Sequence, residues 1–173
     1  MSLLTADKLT KSFGGLTAVS NAGMSIEKGE LVGLIGPNGA GKTTFFNLLT
    51  GVYAPTSGSI RLEVDGMVKD IAGLKPYNIT KSGIARTFQN IRLFKDLTVL
   101  DNIRIAMHQN VKYSLPSAFF RSNKYYNEEE RLVKEAEELL DIFNLTGKKN
   151  ELAKNLPYGE QRHLEIVRAI PVQ

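Results

Sequence analysis

The chain contains no cysteine, which excludes disulfide bonds and metal sites built from thiolates. It has no apolar run of about eighteen residues, so the sequence predicts no membrane-spanning helix. Met1–Lys8 lacks the basic and then apolar pattern of a secretory signal. A chain of 173 residues, 42% hydrophobic and 23% charged, is typical of one soluble domain with a sizeable core. The lack of cysteine also fits a cytoplasmic protein.

The net charge of the chain is +4. A charge of this size permits contact with anionic lipid head groups or nucleic acid, but it is more typical of an ordinary solvated surface. Charge alone therefore predicts no special partner.

One motif stands out from this background, because Gly36–Thr43 fits G-x-x-x-x-G-K-[ST], the phosphate-binding P-loop. Leu31–Ile35 before it has the pattern of a buried strand. Thr44–Thr50 after it has the pattern of a helix, which Gly51 ends as a C-terminal cap. Glycines let the backbone curl so that several N–H groups point at phosphate oxygens, and the helix N-terminus adds partial positive charge.

Two side chains of the P-loop carry further chemistry. Lys42 is predicted to bridge the outer phosphates, and the hydroxyl of Thr43 is predicted to ligate Mg²⁺. The motif, with a strand before it and a helix after it, predicts binding of a nucleoside triphosphate.

Hydrophobic periodicity divides the rest of the chain into a strand-rich first part and a helical second part. The other predicted strands are Leu3–Thr10, Gly23–Glu27, Ser59–Val64 and Gly83–Phe88. The predicted helices are Thr98–Gln109, with a capping-box-like start, Glu128–Phe143 and Glu160–Ile170. Val111–Asn127 is predicted to be an irregular or partly helical insertion. The pattern indicates an α/β nucleotide-binding core with a β-rich flap at its start and a late helical region.

Four features, in order along the chain, resemble the ATP-binding subunit of ABC transporters. Phe13 stands where that family has its adenine-stacking aromatic, and the P-loop follows. Gln89 matches the glutamine of the Q-loop, which helps to hold Mg²⁺ and touches the membrane partner. Leu156–Gln161 resembles the signature motif L-S-G-G-Q. Each feature alone has an ordinary structural interpretation, and it is their joint order around a P-loop that is specific.

The sequences of three segments are similar to those of the subfamily that powers uptake of branched-chain amino acids. These segments are Phe13–Val19, Ala85–Phe94 and Leu156–Arg162, and the insertion at Val111–Asn127 also resembles that subfamily. The resemblance covers the whole chain. It is weaker evidence for the transported amino acid, which never touches this subunit, and an ABC ATPase for another substrate stays an alternative.

The resemblance implies an α/β P-loop NTPase core with an N-terminal antiparallel β subdomain and a helical subdomain. The implied boundaries are about 1–90 for the β subdomain and P-loop part, about 91–158 for the helical subdomain, and 159–173 for the signature helix and chain end. The chain is expected to be one incomplete nucleotide-binding domain that ends before the Walker B strand.

The resemblance also implies a set of site residues for ATP and Mg²⁺. The nucleotide contacts are expected from Phe13, Asn38, Gly39, Ala40, Gly41, Lys42, Thr43, Thr44 and Gln89, with Thr43 and Gln89 also serving Mg²⁺. The signature residues Pro157, Tyr158, Gly159, Glu160 and Gln161 are expected to face the nucleotide of a second subunit. Pro157 replaces the family's serine, so a hydroxyl contact is lost while the N–H groups of Tyr158 and Gly159 stay available.

The implied partners are transmembrane permease subunits, a second ATP-binding subunit paired head to tail and, indirectly, a periplasmic or extracellular amino-acid-binding protein, with no nucleic acid. Closure on ATP and reopening after hydrolysis would be a ligand-driven population shift. Thr98–Gln109 and the residues around Arg92–Leu97 are the predicted docking face. The subunit is expected on the inner, cytoplasmic face of the cell membrane.

The family's Walker B aspartate, catalytic glutamate and switch histidine have no match in these residues. Leu139–Asp141 lies in a helical pattern and Ile60–Asp65 alternates like a half-exposed strand, so neither supplies the missing carboxylates. His108 and His163 lie in helical stretches and do not match the sensor histidine. The chain is therefore expected to bind ATP but hydrolyse it slowly or not at all. It is also expected to expose apolar surface and to show self-association, rearranged packing or poor order around the P-loop.

Three other functions are alternatives for a chain with this motif. Truncation would make the chain a non-hydrolysing nucleotide-binding or interaction module. A P-loop GTPase is disfavoured because Asp70–Gly73 fits D-x-x-G without a consistently apolar strand before it, and Asn123–Tyr126 fails the guanine-reading N-K-x-D. A DNA-repair ATPase of the same superfamily is disfavoured by the Q-loop and insertion wording, and would bind DNA in a salt-dependent way.

Overall fold

The computed structural model describes residues 2–64, 66–88, 90–108, 111, 119 and 122–170. The chain divides into two compact units, Met1–Ile84 and Ala85–Gln173. No helix in the described ranges is long and apolar enough to cross a membrane. The division of the chain into the three parts expected from the resemblance stays a prediction.

The first unit is built on a four-stranded antiparallel sheet in the order β2-β1-β3-β4. The strands are β1 Ser2–Phe13, β2 Leu16–Glu27, β3 Ser57–Val64 and β4 Met67–Asp70. On β3 the buried Ile60 and Leu62 alternate with the exposed Arg61, since successive side chains of a strand point to opposite faces. This alternation confirms the one-sided strand that the sequence predicts.

Helix α1, Lys42–Leu49, covers the buried face of this sheet. Phe45, Leu48 and Leu49 are its buried residues, at the spacing that places side chains on one face of a helix. They pack against apolar residues of the strands and against Ile71, which follows β4. They also pack against Ile79 of the short helix α2, Pro76–Lys81. The predicted helix after the P-loop is confirmed, with bounds shifted toward the loop.

Two predicted strands are wrong. Leu31–Ile35 forms no strand, and its first and last side chains are 98% and 94% exposed. An apolar run becomes a buried strand only where other strands and a covering layer meet it, and none does so among the described residues. Gly83–Phe88 also lacks strand structure. The predicted exposure of apolar surface before the P-loop is confirmed, while self-association stays a prediction.

The second unit is helical. It contains α3 Val99–Met107, α4 Asn123–Asp141 and α5 Tyr158–Ala169, with short 3₁₀ turns at Thr146–Lys148 and Ala153–Asn155. The core of this unit includes Ile103, Leu140 and Leu164, all fully buried. The three predicted helices are confirmed in type, and Gln109 and most of the Val111–Asn127 insertion lie outside the described residues.

The start of α3 shows why this helix begins where it does. The Thr98 hydroxyl accepts a hydrogen bond from the main-chain N–H of Asp101 at 3.0 Å and donates to the Asp101 carboxylate at 2.7 Å. This cap satisfies one of the N–H groups that a helix N-terminus leaves without an intrahelical partner. It confirms the capping signal read from Thr98–Asp101.

Candidate functional site

The P-loop turns through two residues of left-handed backbone before α1 begins. Gly39 has φ 84° and Gly41 has φ 83°, a region that side-chain-bearing residues rarely adopt. The N–H of Ala40 donates to the carbonyl of Pro37 at 3.3 Å, and the N–H of Phe45 donates to the carbonyl of Gly41 at 2.8 Å. The loop is therefore continuous with the first turn of the helix.

Gly41 also lies against strand β2. A Cβ atom at this position would collide with the main-chain carbonyl oxygen of Ala18 and lie 3.4 Å from Val19 Cγ2. Because only glycine lets the backbone come so close, this contact fixes the start of α1 on the sheet.

Lys42 lies across its own loop. Its Nζ donates to the carbonyl of Gly36 at 2.5 Å and to that of Pro37 at 2.7 Å. No described ion pair includes Lys42, and the first turn of α1 contains no acidic residue. The ammonium group and the helix N-terminus thus supply positive charge in one place, which is suited to an anion such as phosphate.

The predicted P-loop contacts differ in exposure. Asn38, Gly39, Ala40 and Thr43 are exposed, and Gly41, Lys42 and Thr44 are half-buried. Lys42, Thr43 and Thr44 are the first three residues of α1, so their N–H groups have no partner within the helix. Thr43 is exposed at this turn, and its hydroxyl oxygen is the type of ligand that Mg²⁺ prefers.

No cluster of three or more His, Asp or Glu side chains that suits a metal occurs in the part of the chain that the structure describes. The assignment of Mg²⁺ to Thr43 stays a prediction. The other residue assigned to it, Gln89, lies outside the described residues.

A cavity of about 350 Å³ lies beside the loop, with Met24, Leu34 and Phe45 among its lining residues. Among the described residues that line it, Lys42 is the one that carries a charge. The rest of its lining is largely apolar and includes Leu34 and Ile35 of the exposed run before the loop, whereas a phosphate group needs donors and positive charge. The loop residues Ala40, Gly41 and Lys42 form one side of this cavity, and binding of an anion there stays a prediction.

Phe13, the predicted base-stacking residue, ends strand β1 and is 42% exposed. Phe13 pairs with Leu16 of β2. Ala18 lies two residues further along β2, and the backbone of Gly41 comes close to its carbonyl group. Two residues of strand span about 7 Å, so Phe13 and Gly41 both adjoin the same short stretch of β2.

Phe13 has two neighbours that the sequence did not reveal. The ring of Tyr53 lies 5.2 Å from it at an interplanar angle of 80°, and Lys11 Nζ lies over it at 5.0 Å from the centroid. The alternation of β1 places Lys11 and Phe13 on one face, but nothing in the sequence predicts the contact with Tyr53, forty residues away.

The signature segment begins helix α5. Pro157 is the N-cap residue, and the helix starts at Tyr158. The Gln161 N–H donates to the carbonyl of Pro157 at 3.0 Å, and its side-chain Nε2 donates to the carbonyl of Leu156 at 2.8 Å. The side chain of Gln161 therefore serves to shape the turn.

The other side chains of this turn also have partners within the unit. Glu160 forms an ion pair with Lys148 at 2.7 Å. The Tyr158 hydroxyl accepts a hydrogen bond from Arg162 Nη2 at 2.8 Å, and the guanidinium lies over the Tyr158 ring. What the turn offers to a ligand is then its main chain, including the N–H groups of Tyr158 and Gly159.

The predicted docking face is partly described. Phe94 and Ile105 expose 48% and 45% of their surface. The Arg168 guanidinium lies 5.4 Å from the centroid of the Phe94 ring, and burial lowers its pKa. A hydrogen bond from Lys154 at 2.8 Å lowers the pKa of the Asp96 carboxyl. The contact with Arg168 restricts the exposed Phe94 ring, and the use of this surface for docking stays a prediction.

The segment around Gln89 is described on both sides of it. Two guanidinium groups lie over the Phe88 ring, that of Arg92 at 4.2 Å and that of Arg86 at 5.1 Å from its centroid. Arginine stacks readily on aromatic faces, so this arrangement orders the side chains next to the predicted Q-loop residue.

The comparison with known proteins gives concordant matches. The sequence pattern of the family described as ABC transporter matches residues 19–173. The high-affinity branched-chain amino acid transport ATP-binding protein BraF of Pseudomonas aeruginosa is 42% identical over 168 residues, which are 97% of this chain and 64% of that protein. The protein of the same description named LivG in Escherichia coli is 41% identical over 171 residues, 99% of this chain and 66% of that one.

A solved structure agrees with these relatives. The crystal structure of the ADP conformation of an ATP-binding cassette of an ABC transporter superposes with a TM-score of 0.80 at 32% identity, covering 99% of this chain and 65% of that one. The chain spans about two thirds of the length of these relatives. The family pattern, the relatives and the fold agree, and the chain belongs to the ATP-binding subunits of the ABC transporter family.

Proposed function

We propose that this protein binds Mg-ATP at Gly36–Thr43 and serves as the ATP-binding subunit that energises import of branched-chain amino acids across the cytoplasmic membrane. One observation carries the binding step. Lys42 has its ammonium group held at the loop with no acidic partner among the described ion pairs, at a helix start without acidic residues. A polyphosphate would replace the two carbonyl oxygens that Lys42 now contacts.

The loop would act on the nucleotide through several groups at once. The N–H groups of Lys42, Thr43 and Thr44 would donate to phosphate oxygens, while the Nζ of Lys42 would bind the outer phosphates. Mg²⁺, when bound, would neutralise phosphate charge, with the Thr43 hydroxyl and Gln89 as proposed ligands. Phe13 would hold the base.

The branched-chain substrate class is supported by the relatives, which are described as branched-chain amino acid transport ATP-binding proteins. The proposed partners are transmembrane permease subunits and a second ATP-binding subunit. The main chain at Tyr158 and Gly159 would face the second subunit's nucleotide, and an amino-acid-binding protein would act indirectly. The protein would lie on the cytoplasmic face of the membrane as one nucleotide-binding domain.

We further propose that these 173 residues bind ATP but hydrolyse it poorly. In-line attack on the terminal phosphate needs a group that orients and activates water. Leu139–Asp141, one of two segments that could be compared with the family's carboxylate-bearing strand, lies in helix α4, and no acidic residue occurs in the first turn of α1. A non-hydrolysing nucleotide-binding or interaction module is the second candidate, and the exposed Leu31–Ile35 run beside the loop would give it an apolar contact surface.

The test is a titration with Mg-ATP of the whole chain and of Lys42→Ala, with Lys69→Ala on strand β4 as the matched loss of one exposed positive charge. A hydrogen bond to a charged group contributes about 1.5–3 kcal/mol, so Lys42→Ala should weaken binding by about tenfold to more than a hundredfold. Lys69→Ala should bind as the unaltered chain does.

Turnover of Mg-ATP is measured on the same three proteins. We expect no turnover by the unaltered chain above that of Lys42→Ala. Turnover that disappears in Lys42→Ala would contradict poor hydrolysis and require another general base. Equal binding by the unaltered chain and Lys42→Ala would contradict the phosphate site itself.

A further inference from the structure

The ring of Phe13 stands at an exposed position where, by itself, it would have little to hold it. It is the last residue of β1, and Gly14, with φ 57°, turns the chain toward β2 directly after it. A stacking platform contributes to binding only when its ring is already held in the binding orientation, since ordering it otherwise costs conformational entropy. The question is which groups hold it.

Tyr53 supplies one constraint. Its ring meets that of Phe13 at 5.2 Å and 80°, the edge-to-face geometry that aromatic pairs prefer. Lys11 supplies another, because its Nζ lies over the Phe13 ring at 5.0 Å and also donates to the Ala54 carbonyl at 2.8 Å. A cation over an aromatic face is attracted to the ring's negative quadrupole. The two contacts restrict rotation of the Phe13 ring.

Tyr53 is in turn attached to the helix that begins at the P-loop. The N–H groups of Val52 and Tyr53 donate to the carbonyl of Asn47 in α1, at 2.9 and 3.2 Å. Residues 50–56, which we call the Tyr53 loop, also bond to β1, because the Thr56 N–H donates to the Thr10 carbonyl at 2.8 Å. The Tyr53 loop therefore connects the helix of the phosphate site with the strand of the base site.

We propose that Tyr53 and Lys11 are positioning residues that hold the Phe13 ring as the platform for the nucleotide base. This inference rests on the proposed binding of ATP at the P-loop and adds the groups that set the base-dependent part of the affinity. Neither residue touches the phosphate loop in this role. Their loss should therefore weaken binding of a nucleotide and leave binding of a bare polyphosphate unchanged.

The test compares Mg-ATP with Mg-bound inorganic triphosphate on the full chain. The variants are Phe13→Ala, Tyr53→Leu, Tyr53→Phe and Lys11→Met, and Tyr77→Leu in α2 is the matched control, since that tyrosine is 58% exposed. Aromatic-pair and cation–π energies correspond to about a threefold to tenfold loss of ATP affinity for Tyr53→Leu and about twofold to fivefold for Lys11→Met. Tyr53→Phe keeps the ring pair and should bind as the unaltered chain does.

Triphosphate affinity should stay the same in all of these proteins. Equal weakening of ATP and triphosphate by Tyr53→Leu would overturn the inference, because it would show a general structural role. Unchanged ATP affinity in Tyr53→Leu and Lys11→Met, with a loss in Phe13→Ala, would also overturn it while leaving the P-loop function intact. Binding of neither ligand by the unaltered chain would overturn the proposed function and this inference together.

Discussion

Gly41→Ala is expected to destroy the geometry of the P-loop. The position has φ 83°, and a methyl group there would collide with the Ala18 carbonyl oxygen of β2. Left-handed backbone costs a side-chain-bearing residue about 1–2 kcal/mol, and forcing atoms into a packed contact adds about 1–3 kcal/mol. The free energy of unfolding of the first unit should fall by about 2–5 kcal/mol. Mg-ATP binding should be lost with it.

The loop offers its own control for this prediction. Gly39 has almost the same backbone, φ 84°, but a Cβ atom there has no neighbour within 4 Å. Gly39→Ala should lose only the backbone contribution, about 1–2 kcal/mol, and should keep the packing of α1 against the sheet. Urea unfolding followed by circular dichroism and a nucleotide titration measure both effects. Equal losses in the two variants would mean that contact with Ala18 does not fix the loop.

The comparison of Gly41 with Leu31–Ile35 shows which parts of the site the sequence can predict. The loop and the helix after it follow from local chemistry, namely glycine at left-handed positions and apolar spacing in α1, so the motif predicts them well. A buried strand is a property of its neighbours. Leu31–Ile35 has the right residues, yet no strand among the described residues adjoins it, and its first and last side chains are 98% and 94% exposed.

The contacts around the base and signature positions were not predictable for a different reason. Phe13 and Tyr53 lie forty positions apart and meet only because the loop after α1 bonds back to β1. The side chains of Glu160 and Gln161 are used within their own unit, by Lys148 and by the Leu156 carbonyl. A motif specifies which residues stand at a position, whereas burial and packing decide which of their atoms stay available to a ligand.

The short elements β4 and α2 were not predicted, because each is too short to show a hydrophobic periodicity. Met67–Asp70 is exposed at all four positions, so no alternation marks it as a strand. Pro76–Lys81 has one buried residue, Ile79, and a single apolar position defines no helical face. The long helices of the second unit were predictable because several buried positions repeat along each of them.

Asn102→Asp is expected to lower the free energy of unfolding of the second unit more than an Asn→Asp substitution at an exposed position. Asn102 is fully buried. Its Oδ1 accepts from the N–H of Phe94 at 2.9 Å, and its Nδ2 donates to the carbonyls of Phe94 and Thr98 at 3.1 and 2.9 Å. One side chain thus fixes the segment that leads into α3. The substitution keeps the acceptor and replaces the donor with an oxygen that faces two carbonyls.

The loss of stability in Asn102→Asp should depend on pH. Burial and the two facing carbonyls favour the neutral acid, so the introduced carboxyl would have a folded-state pKa above its unfolded value of about 3.9. A raised folded-state pKa means that stability is greatest below the unfolded value and falls as pH rises. The difference from the unaltered chain should be small near pH 4 and reach about 3–5 kcal/mol near pH 7, the cost of an uncompensated buried charge.

Asn155→Asp is the matched control, because Asn155 is exposed in the same unit. Urea unfolding followed by circular dichroism at both pH values should show a change of no more than about 0.5 kcal/mol for this variant. A loss in Asn102→Asp that does not grow with pH would mean that the new oxygen finds a donor, and that Asn102 does not fix the Phe94 segment through its amide. A loss of stability that grows with pH would show that the buried amide of Asn102 in α3 holds the Phe94 segment in place. The exposed Phe94 surface, and with it the proposed docking face, would then depend on that one amide.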